Sequence, residues 1–280
     1  MPRPNNAVVA FQGEPGAFSH AAARKLLGPE IEIFPSVRFD DVFRALKRGR
    51  VTHAVLPMEN TLHGSVHENY DHLLEYQLPI VGETSIRIAH QLIAMPGTRF
   101  RDIRRVLSHP VALNQCLQFF EDHPAIEKVS HYDTAGSVKT LATDRPPNSA
   151  AIASEAAAET YGGVILKRNI EDDRQNFTRF FLLTRKAPAE HSDEGRWKTS
   201  LVFSMTNSPG ALFKAMACFA LRDISLTKIE SRPLRGKPWE YLFYVDLVGH
   251  AQQKSVKHAI SNLEEISSFL RILGSYQPTE

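Results

Sequence analysis

Short apolar segments alternate with helical patterns along the first 185 residues, and this alternation restricts the fold more than any other feature of the sequence. Because a helix-length pattern separates most of the strand-length apolar runs, the chain is expected to form parallel sheets of the α/β class. The predicted strands are residues 7–11, 31–34, 54–56, 79–83, 105–107, 128–131, 150–153 and 179–184. The predicted helices are residues 17–27, 39–47, 66–76, 111–120, 135–142 and 155–161.

A polar segment, residues 186–198, separates this region from a smaller unit. Its sequence, KAPAEHSDEGRWK, has no hydrophobic period and predicts an exposed linker. The residues after it predict the order βαββαβ, which is a ferredoxin-like α+β arrangement. Its elements are predicted at residues 200–205, 209–221, 225–230, 241–248, 255–263 and 269–273. The first helix is expected to begin at Pro209, with Asn207 or Ser208 as its N-cap.

Composition and charge disfavour several classes of partner. The chain has 33 Lys or Arg and 31 Asp or Glu, a net charge of +2 without a basic cluster, so nucleic acid is not expected as a partner. No apolar run reaches the roughly 20 residues that span a bilayer, so no membrane is expected either. Cys116 and Cys218 share no metal or redox spacing, and the N-terminus lacks a secretory pattern. These features predict a cytosolic protein with reduced thiols.

Common cofactor motifs are absent from the sequence. It contains no GxGxxG after a strand, no Walker-type phosphate loop and no GxSxG elbow. His63 and His67 stand four residues apart, a spacing that permits a metal site. His63 falls in a predicted loop, however, and spacing fixes no third ligand, so both are interpreted as ordinary polar residues. Neither a metal nor another cofactor is expected.

Three loops rich in small and polar residues follow predicted strands and precede predicted helices. They are residues 12–20 (QGEPGAFSH), 58–66 (MENTLHGSV) and 132–137 (YDTAGS). A helix start presents N–H groups that bind anions, and ligands of open α/β sheets lie beyond the carboxyl ends of the strands. The first loop alone is equally well explained as a tight turn with a helix cap. Together they predict an anion-binding cleft.

A fourth segment, residues 176–181 (NFTRFF), places two polar side chains in a strongly apolar predicted strand. Arg179 is either a clamp for a carboxylate or a residue that lies on the sheet surface. Thr178 is either a functional hydroxyl or an ordinary strand residue. Because successive strand residues face opposite sides of a sheet, Phe180 is expected to share the face of Thr178, and Arg179 to point away.

The segment around Thr178 resembles the signature of prephenate dehydratases. In that family's order, the chain also contains QGEPGAFS, ENTLHGSVHENYD, SHPVALNQC, YDTAGS and AAIAS. Near the C-terminus, residues 210–213 (GALF) and 226–233 (LTKIESRP) are similar to the two effector-binding boxes of the ACT domain found in this family. The resemblance covers about residues 7–276, and several motifs in one order make it specific.

This resemblance implies a catalytic domain at residues 1–185, built as two α/β lobes around a cleft like a type II periplasmic binding protein. The second lobe is expected at about residues 84–160. An ACT regulatory domain is implied at residues 199–280, where phenylalanine would bind between paired copies as a feedback inhibitor. Family members are dimers or tetramers, so a homodimer or homotetramer is expected.

The implied reaction converts prephenate to phenylpyruvate in phenylalanine biosynthesis, with loss of carbon dioxide and the ring hydroxyl and without a cofactor. The implied catalytic residues are Thr178, Arg179 and Phe180, of which Thr178 would help to protonate the leaving hydroxyl. The expected substrate-binding residues are Pro15, Gly16, Ser19, Asn60, Thr61, Gly64, Ser65 and Thr134. The expected effector-binding residues are Asn207, Pro209, Gly210, Ala211, Leu212, Phe213, Glu230 and Ser231.

The sequence departs from the family pattern most notably at His63, where glycine is common, and also at Thr61, where serine is usual. A bulky, titratable side chain at position 63 would narrow the choice of substrate. Three alternatives stay open. The alternatives to a prephenate dehydratase are an arogenate dehydratase, a non-catalytic amino-acid sensor with the same cleft, and a structural interaction protein built on ACT pairing. Retention of Thr178-Arg179-Phe180 favours an enzyme.

Overall fold

A computed structural model describes residues 7–187, 195–233 and 240–278 of the protein. Its contacts divide the chain into two compact units. The first combines Met1–Tyr76 with Thr84–Leu182, and the second combines Gln77–Glu83 with Leu183–Glu280. Within the described ranges, no helix is long and apolar enough to cross a membrane. Part of the predicted linker, residues 188–194, lies outside the described residues.

The first sheet has the strand order β2-β1-β3-β11-β5, with β4 paired to β3. Its strands are β1 (Val8–Gln12), β2 (Glu32–Ser36), β3 (His53–Asn60), β4 (Gly64–Ser65), β5 (Ile80–Arg87) and β11 (Phe177–Thr184). Its helices are α1 (Phe18–Leu27), α2 (Phe39–Lys47) and α3 (His67–Tyr76). Strand β1 is parallel to both β2 and β3, as the alternation of strands and helices predicts.

Strand β3 is longer than predicted. The prediction ended it before Pro57, because proline donates no backbone hydrogen bond. In the structure, β3 pairs with β1 up to Val55 and with β4 at Glu59 and Asn60. Pro57 lies between these two paired stretches, so the strand continues through it. The extension positions Asn60 at the end of the strand, where it belongs to the site described below.

The second sheet spans residues 91–167 and has the order β10-β6-β9-β7-β8. Its strands are β6 (Gln91–Ala94), β7 (Arg105–Ser108), β8 (Glu127–Ser130), β9 (Ser149–Ala153) and β10 (Val164–Lys167). Its helices are a 3₁₀ turn (Phe100–Asp102), α4 (Pro110–Asn114), α5 (Leu117–Glu121), α6 (Thr134–Asp144) and α7 (Glu155–Tyr161). The chain therefore leaves the first sheet after β5 and returns to it at β11, which gives the first unit two α/β lobes.

Helices α4 and α5 replace the single helix predicted for residues 111–120. The Asp172 carboxylate accepts hydrogen bonds from the backbone N–H groups of Leu117 (2.7 Å) and Gln118 (3.0 Å). A carboxylate at this position caps a new helix start, because the first N–H groups of a helix have no partner within it. The capping residue lies more than 50 residues away in sequence, so local spacing cannot reveal the break at Gln115 and Cys116.

The second unit contains a four-stranded antiparallel sheet with the order β13-β14-β12-β15. Its elements are β12 (Lys198–Ser204), α8 (Ala211–Ala220), β13 (Leu226–Pro233), β14 (Tyr241–Val248), α9 (Lys254–Ile266) and β15 (Phe269–Tyr276). One face packs on the two helices, and Leu201, Phe219 and Leu263 are among the residues of that core. The predicted α/β class of the first region and the βαββαβ order of the second are both confirmed.

The start of α8 differs from the prediction. Pro209 and Gly210 form a turn in which Ala211 N–H donates to Ser208 O at 3.0 Å, and the helix begins at Ala211. Gly210 has φ +75°, a left-handed conformation that glycine adopts without strain. No side chain caps the helix, so neither Asn207 nor Ser208 is the N-cap.

A buried polar cluster holds residues 77–83 within the second unit. The Lys198 ammonium lies 2.9 Å from Glu83 Oε1, and both side chains are largely buried. The Tyr276 hydroxyl lies 2.7 Å from Ser200 Oγ and 3.5 Å from Glu83 Oε2. Gly274 allows close packing here, since a Cβ atom at this position would lie 2.1 Å from the Ile80 carbonyl oxygen. Strand β5 therefore begins in the second unit and ends in the first.

Candidate active site

Thr178 lies on β11 with only 9% of its surface exposed, and its hydroxyl accepts a hydrogen bond from Asn60 Nδ2 at 2.9 Å. The same Asn60 nitrogen lies 2.7 Å from Asn176 Oδ1. A hydroxyl that accepts a bond keeps one proton to donate. Within the part of the chain that the structure describes, this proton has no acceptor. Thr178 is thus positioned to donate to a ligand.

The side chain of Asn60 is held in a defined orientation. Its Oδ1 accepts from the backbone N–H groups of Leu62 and His63, both at 3.0 Å. Because a backbone N–H can only donate, this atom must be the amide oxygen, and the amide NH₂ therefore faces Thr178. Asn60 is the last residue of β3, just before the turn to β4, so the first lobe builds the environment of the Thr178 hydroxyl.

Thr61 connects the same turn to the segment before β11. Its hydroxyl donates to Gln175 O at 2.8 Å and accepts from Phe177 N–H at 3.0 Å, while its own N–H donates to Phe177 O at 2.9 Å. Since the hydroxyl is used in both directions, Thr61 is fixed as a tether rather than left open for a ligand.

The second predicted anion site does not form as expected. Gly64 and Ser65 make up strand β4, which pairs with Asn60 and Glu59 in a hairpin. Val66 N–H donates to Met58 O at 2.8 Å, and α3 begins only at His67. The hairpin thus replaces the strand-to-helix junction that was predicted here, because backbone groups of the turn pair with one another. Gly64 and Ser65 lie beside Asn60 but on a strand rather than at a helix start.

Arg179 and Phe180 occupy opposite faces of β11, as strand alternation predicts. The Arg179 guanidinium lies over the Phe181 ring, 4.6 Å from its centroid, and 3.6 Å from Glu59 Oε1. Phe180 is buried in the protein core. Arg179 therefore lies on the side of the sheet away from the Thr178 hydroxyl, where it contacts Phe181 and Glu59.

The first predicted loop leaves the start of α1 uncapped by any side chain of the described residues. Gly16, at φ +86°, packs so closely on α7 that a Cβ atom would lie 2.6 Å from Ala157 Cα. Gly16 N–H donates to His20 Nδ1, and Gly16 O accepts from Ser154 Oγ at 2.5 Å. Burial foremost, with nearby Arg24, lowers the pKa of His20, which fits a neutral acceptor ring.

Ser19 is buried in the first turn of α1, and Pro15 is half-buried in the preceding turn. The first N–H groups of an uncapped helix attract an anion, so this junction keeps the character that the sequence predicts. It is the best-preserved of the three predicted anion sites.

The third predicted loop already contains a carboxylate. Asp133 accepts from Gly136 N–H at 2.7 Å at the start of α6, and Thr134 is the first helical residue. Burial raises the pKa of Asp133, and the neighbouring Glu14 raises it further. A second anion at this helix start would be repelled when Asp133 is ionised, so the expected anion site is occupied by a residue of the chain itself. Thr134 remains half-buried beside it.

Glu14 connects the first and third loops. It accepts from the Tyr132 hydroxyl at 3.0 Å and forms an ion pair with Lys139 at 3.0 Å. Burial and Glu14 raise the pKa of Tyr132 to about 12, so the phenol stays protonated as the donor. The structure therefore brings residues 12–20 of one lobe against residues 132–137 of the other.

Sequence reasoning missed a series of polar groups behind the site, which is buried at His90, Gln115 and Glu171 and reaches the exposed His63. His90 Nε2 lies 2.7 Å from Gln115 Oε1, and Gln115 Nε2 lies 3.1 Å from His63 Nδ1. His90 N–H donates to Glu171 Oε2 at 2.8 Å, and Arg87 pairs with Glu171. Gln115 and Glu171 come from distant segments, so no local spacing joins them. The only available signal was the family resemblance of SHPVALNQC, which includes Gln115.

We expect the buried His90 to make the protein less stable in mild acid. Burial foremost lowers its pKa below 6.5, opposed in part by Gln115 and Glu171. The unfolded chain therefore binds a proton below pH 6.5 that the folded chain excludes, and stability falls as pH drops from 6.5 toward the lowered pKa. The expected slope is at most about 1.4 kcal/mol per pH unit from this residue.

Urea unfolding of the wild type and of His90→Gln between pH 7.5 and 5.5 measures this slope. The variant is expected to have a shallower pH dependence, whatever its absolute stability, because His20, His53 and other groups contribute equally to both proteins. Equal slopes would show that His90 takes up a proton in the folded state as readily as in the unfolded state.

The predicted effector residues lie at one end of the second unit's sheet. Leu242 of β14 pairs with Ser204 on one side and Arg232 on the other, so the loop after β12 and the end of β13 share that end. Asn207, Pro209, Gly210, Leu212, Phe213 and Ser231 are exposed, whereas Ala211 and Glu230 are half-buried. Phe213 is 77% exposed, and Lys228 Nζ lies 3.5 Å from Glu230 Oε2.

Among the described residues, no group of His, Cys, Asp and Glu side chains could hold a metal ion. Cys116 and Cys218 are both buried free thiols. Burial foremost raises the pKa of each, so neither is a thiolate at neutral pH. What the site offers chemically is a hydroxyl donor at Thr178, amide groups at Asn60 and Gln115, and a helix start at α1.

A family model for prephenate dehydratases matches residues 9–188, and a model for ACT domains matches residues 199–265. The Arabidopsis thaliana protein named arogenate dehydratase/prephenate dehydratase 2, chloroplastic, is 46% identical over 277 residues, which cover 96% of this chain and 72% of that protein. The structure of prephenate dehydratase from Arthrobacter aurescens in complex with L-Phe is 32% identical, with a TM-score of 0.88 over 96% of this chain and 90% of that chain. A solved structure described as GqqA, a novel type of quorum quenching acylase, is 34% identical, with a TM-score of 0.89 over 97% of this chain and 98% of that chain.

Proposed function

The chain belongs to the prephenate dehydratase family, and on that premise we propose that it converts prephenate to phenylpyruvate, carbon dioxide and water. It is a carbon–oxygen lyase with a C-terminal ACT domain. The observation that carries the proposal is the Thr178 hydroxyl, which accepts from Asn60 and keeps its own proton to donate. A proton donor at the departing hydroxyl is the group that this elimination requires.

In the proposed reaction, the bond between the ring and its carboxylate breaks to release carbon dioxide. Its electron pair enters the ring, the bond between the ring and its hydroxyl breaks, and the ring becomes aromatic. The hydroxyl leaves as water after it gains one proton. Thr178 donates a hydrogen bond to this oxygen, and Asn60 Nδ2 stabilises the negative charge that develops on Thr178 Oγ1.

The substrate carries two carboxylates, and we assign one of them to the uncapped start of α1. The N–H groups of its first turn, with Gly16, Ser19 and Pro15 around them, favour a negative charge. Asn60 and Thr134 are proposed as further contacts, whereas Thr61, Gly64 and Ser65 are proposed to shape the hairpin that holds Asn60. Arg179 and Phe180 are proposed to support β11 beside Thr178.

Arogenate is the alternative substrate, because the Arabidopsis relative bears both names. It differs from prephenate by an amino group in place of the keto oxygen. Incubation of the purified chain with each compound, following phenylpyruvate or phenylalanine as product, decides between them. Turnover of neither, with release of a free acid from an acylated quorum-sensing signal, would instead support the activity named for the solved relative GqqA.

We further propose that phenylalanine binds the ACT domain and inhibits the enzyme, since the Arthrobacter aurescens structure contains L-Phe. The proposed contacts are Asn207, Pro209, Gly210, Ala211, Leu212, Phe213, Glu230 and Ser231. Pairing of two or four chains would cover the exposed Phe213 ring. Activity unchanged at millimolar phenylalanine would contradict feedback inhibition, and light scattering gives the number of chains.

The proposed division of the chain is a catalytic domain at residues 1–185, a linker at 186–198 and a regulatory domain at 199–280. The two family matches, to residues 9–188 and 199–265, support it.

A cytosolic location is also proposed, although the Arabidopsis relative is named chloroplastic. Fractionation of the source cells, followed by detection of the protein, tests that location.

A further inference from the structure

We propose that His63 is a positioning residue that joins the two lobes and so closes the cleft on the substrate. This inference rests on the proposed dehydratase function, because it assigns His63 a role in that same site. The glycine that is common at position 63 in the family has no side chain to make the contact, so the role would belong to this chain and to relatives that share the histidine.

The ring of His63 contacts both lobes. It lies in the turn between β3 and β4 of the first lobe, where its backbone N–H donates to Asn60 Oδ1 at 3.0 Å and its ring Nδ1 lies 3.3 Å from the same oxygen. Its Nδ1 lies 3.1 Å from the Nε2 atom of Gln115, which follows α4 in the second lobe. One side chain thus connects the residue that orients Thr178 to a residue of the opposite lobe.

His90 determines which way the Gln115 amide points. The His90 Nδ1 atom is buried without a partner among the described residues, and its Nε2 atom faces Gln115. If Gln115 presented its NH₂ to His90, the proton of neutral His90 would lie on Nδ1 as a buried N–H without an acceptor. An unsatisfied buried donor of this kind is rare and costly. The favoured arrangement therefore has His90 Nε2–H donating to Gln115 Oε1.

This arrangement fixes the state of His63. The Gln115 NH₂ group then faces His63 Nδ1 at 3.1 Å and donates to it, while Asn60 Oδ1, 3.3 Å from the same nitrogen, accepts from the backbone N–H groups of Leu62 and His63. Because Nδ1 accepts this bond, a ring proton lies on Nε2. A continuous series of hydrogen bonds runs from buried His90 through Gln115 to His63, and from the His63 backbone through Asn60 to Thr178.

The bridge matters because the two lobes belong to separate sheets, and the substrate is proposed to bind between them. A side-chain bond across the cleft favours the closed arrangement in the protein without substrate. The protein then loses less conformational entropy when the substrate binds. Loss of the bridge should therefore weaken substrate binding more than it slows the chemical step, since the Asn60 bond to Thr178 remains. The expected signature is a raised KM with a nearly unchanged kcat.

Kinetic measurements on the wild type and three His63 variants, with the preferred substrate, distinguish the hydrogen bond of His63 from the volume of its side chain. His63→Gly removes the acceptor and is expected to raise KM about ten-fold, the effect of roughly 1.4 kcal/mol in binding. His63→Asn keeps an acceptor near the position of Nδ1 and should recover most of the affinity. His63→Phe keeps the bulk of the ring without the acceptor and should behave like His63→Gly.

Gln115→Ala, alone and combined with His63→Gly, completes a double-mutant cycle that measures the coupling between the two residues. If the bridge is the cause, His63→Gly raises KM in the wild-type background but adds nothing in the Gln115→Ala background. Independent, multiplying effects would overturn the proposal, as would a His63→Phe protein with wild-type KM. If the wild type turns over neither prephenate nor arogenate, the proposed function itself fails. If the wild type is active and His63→Gly matches it, only this inference fails.

Discussion

Replacing Thr178 with alanine is expected to lower kcat roughly 10²–10⁴-fold, the usual contribution of a positioned proton donor. The substitution removes the hydroxyl that accepts from Asn60 Nδ2 and that donates to the leaving group in the proposed reaction. The Asn60 amide keeps Asn176 Oδ1 as an acceptor, so its NH₂ group still has a hydrogen-bond partner in the variant. Initial rates of phenylpyruvate formation at saturating prephenate measure the effect.

Thr178→Ser is the matched control, because it keeps the hydroxyl and loses only a methyl group. It should retain turnover within about ten-fold of the wild type, the effect of roughly 1.4 kcal/mol in the barrier. Binding of phenylpyruvate to Thr178→Ala, measured by calorimetry, shows whether the cleft is still formed. If Thr178→Ala turned over prephenate at the wild-type rate, Thr178 would not be the donor, and another group would have to protonate the hydroxyl.

The second large effect concerns stability. Lys198→Ala is expected to lower the free energy of unfolding by about 3 kcal/mol, because it removes the ammonium that pairs with the largely buried Glu83 carboxylate. The Tyr276 hydroxyl, 3.5 Å from Glu83 Oε2, is a weaker contact than the ion pair at 2.9 Å. Urea unfolding at pH 7, followed by circular dichroism, measures the loss.

The paired variant Lys198→Met/Glu83→Gln tests the cause. It removes both charges together and keeps similar volume, so its stability should lie within about 1 kcal/mol of the wild type. Recovery of stability in the double variant identifies an uncompensated charge as the source of the loss. If the double variant were as unstable as Lys198→Ala, packing of the lysine stem rather than its charge would be responsible.

The fold could be predicted where local pattern decides it. Amphipathic α2 and the βαββαβ order of the second unit follow from the spacing of apolar residues. Predictions failed where distant residues decide. Asp172 divides the helix predicted for residues 111–120. A local cause, the left-handed Gly210, moves the start of α8. The short strands β6 and β10 were missed, because they pair antiparallel, outside the strand–helix alternation on which the prediction was based.

The site divides in the same way. Asn60 and Thr178 were selected from sequence, and the structure joins their side chains across 118 residues. The hairpin at Gly64 and Ser65 was not foreseen, because its pairing depends on the extension of β3 past Pro57. His90 and Glu171 gave no sequence signal. Their importance arises only from burial and from the partners that the fold provides.

The placement of residues 77–83 in the second unit has a consequence for recombination. A chimera that exchanged only Leu183–Glu280 would leave Glu83 and Ile80 facing foreign residues in place of Lys198 and Gly274. The C-terminal part of the second unit therefore cannot be exchanged alone without disturbing its contacts with residues 77–83. Graft points that respect the structure must transfer the start of β5 together with the C-terminal unit, and we expect these two pieces of sequence to be inherited as one.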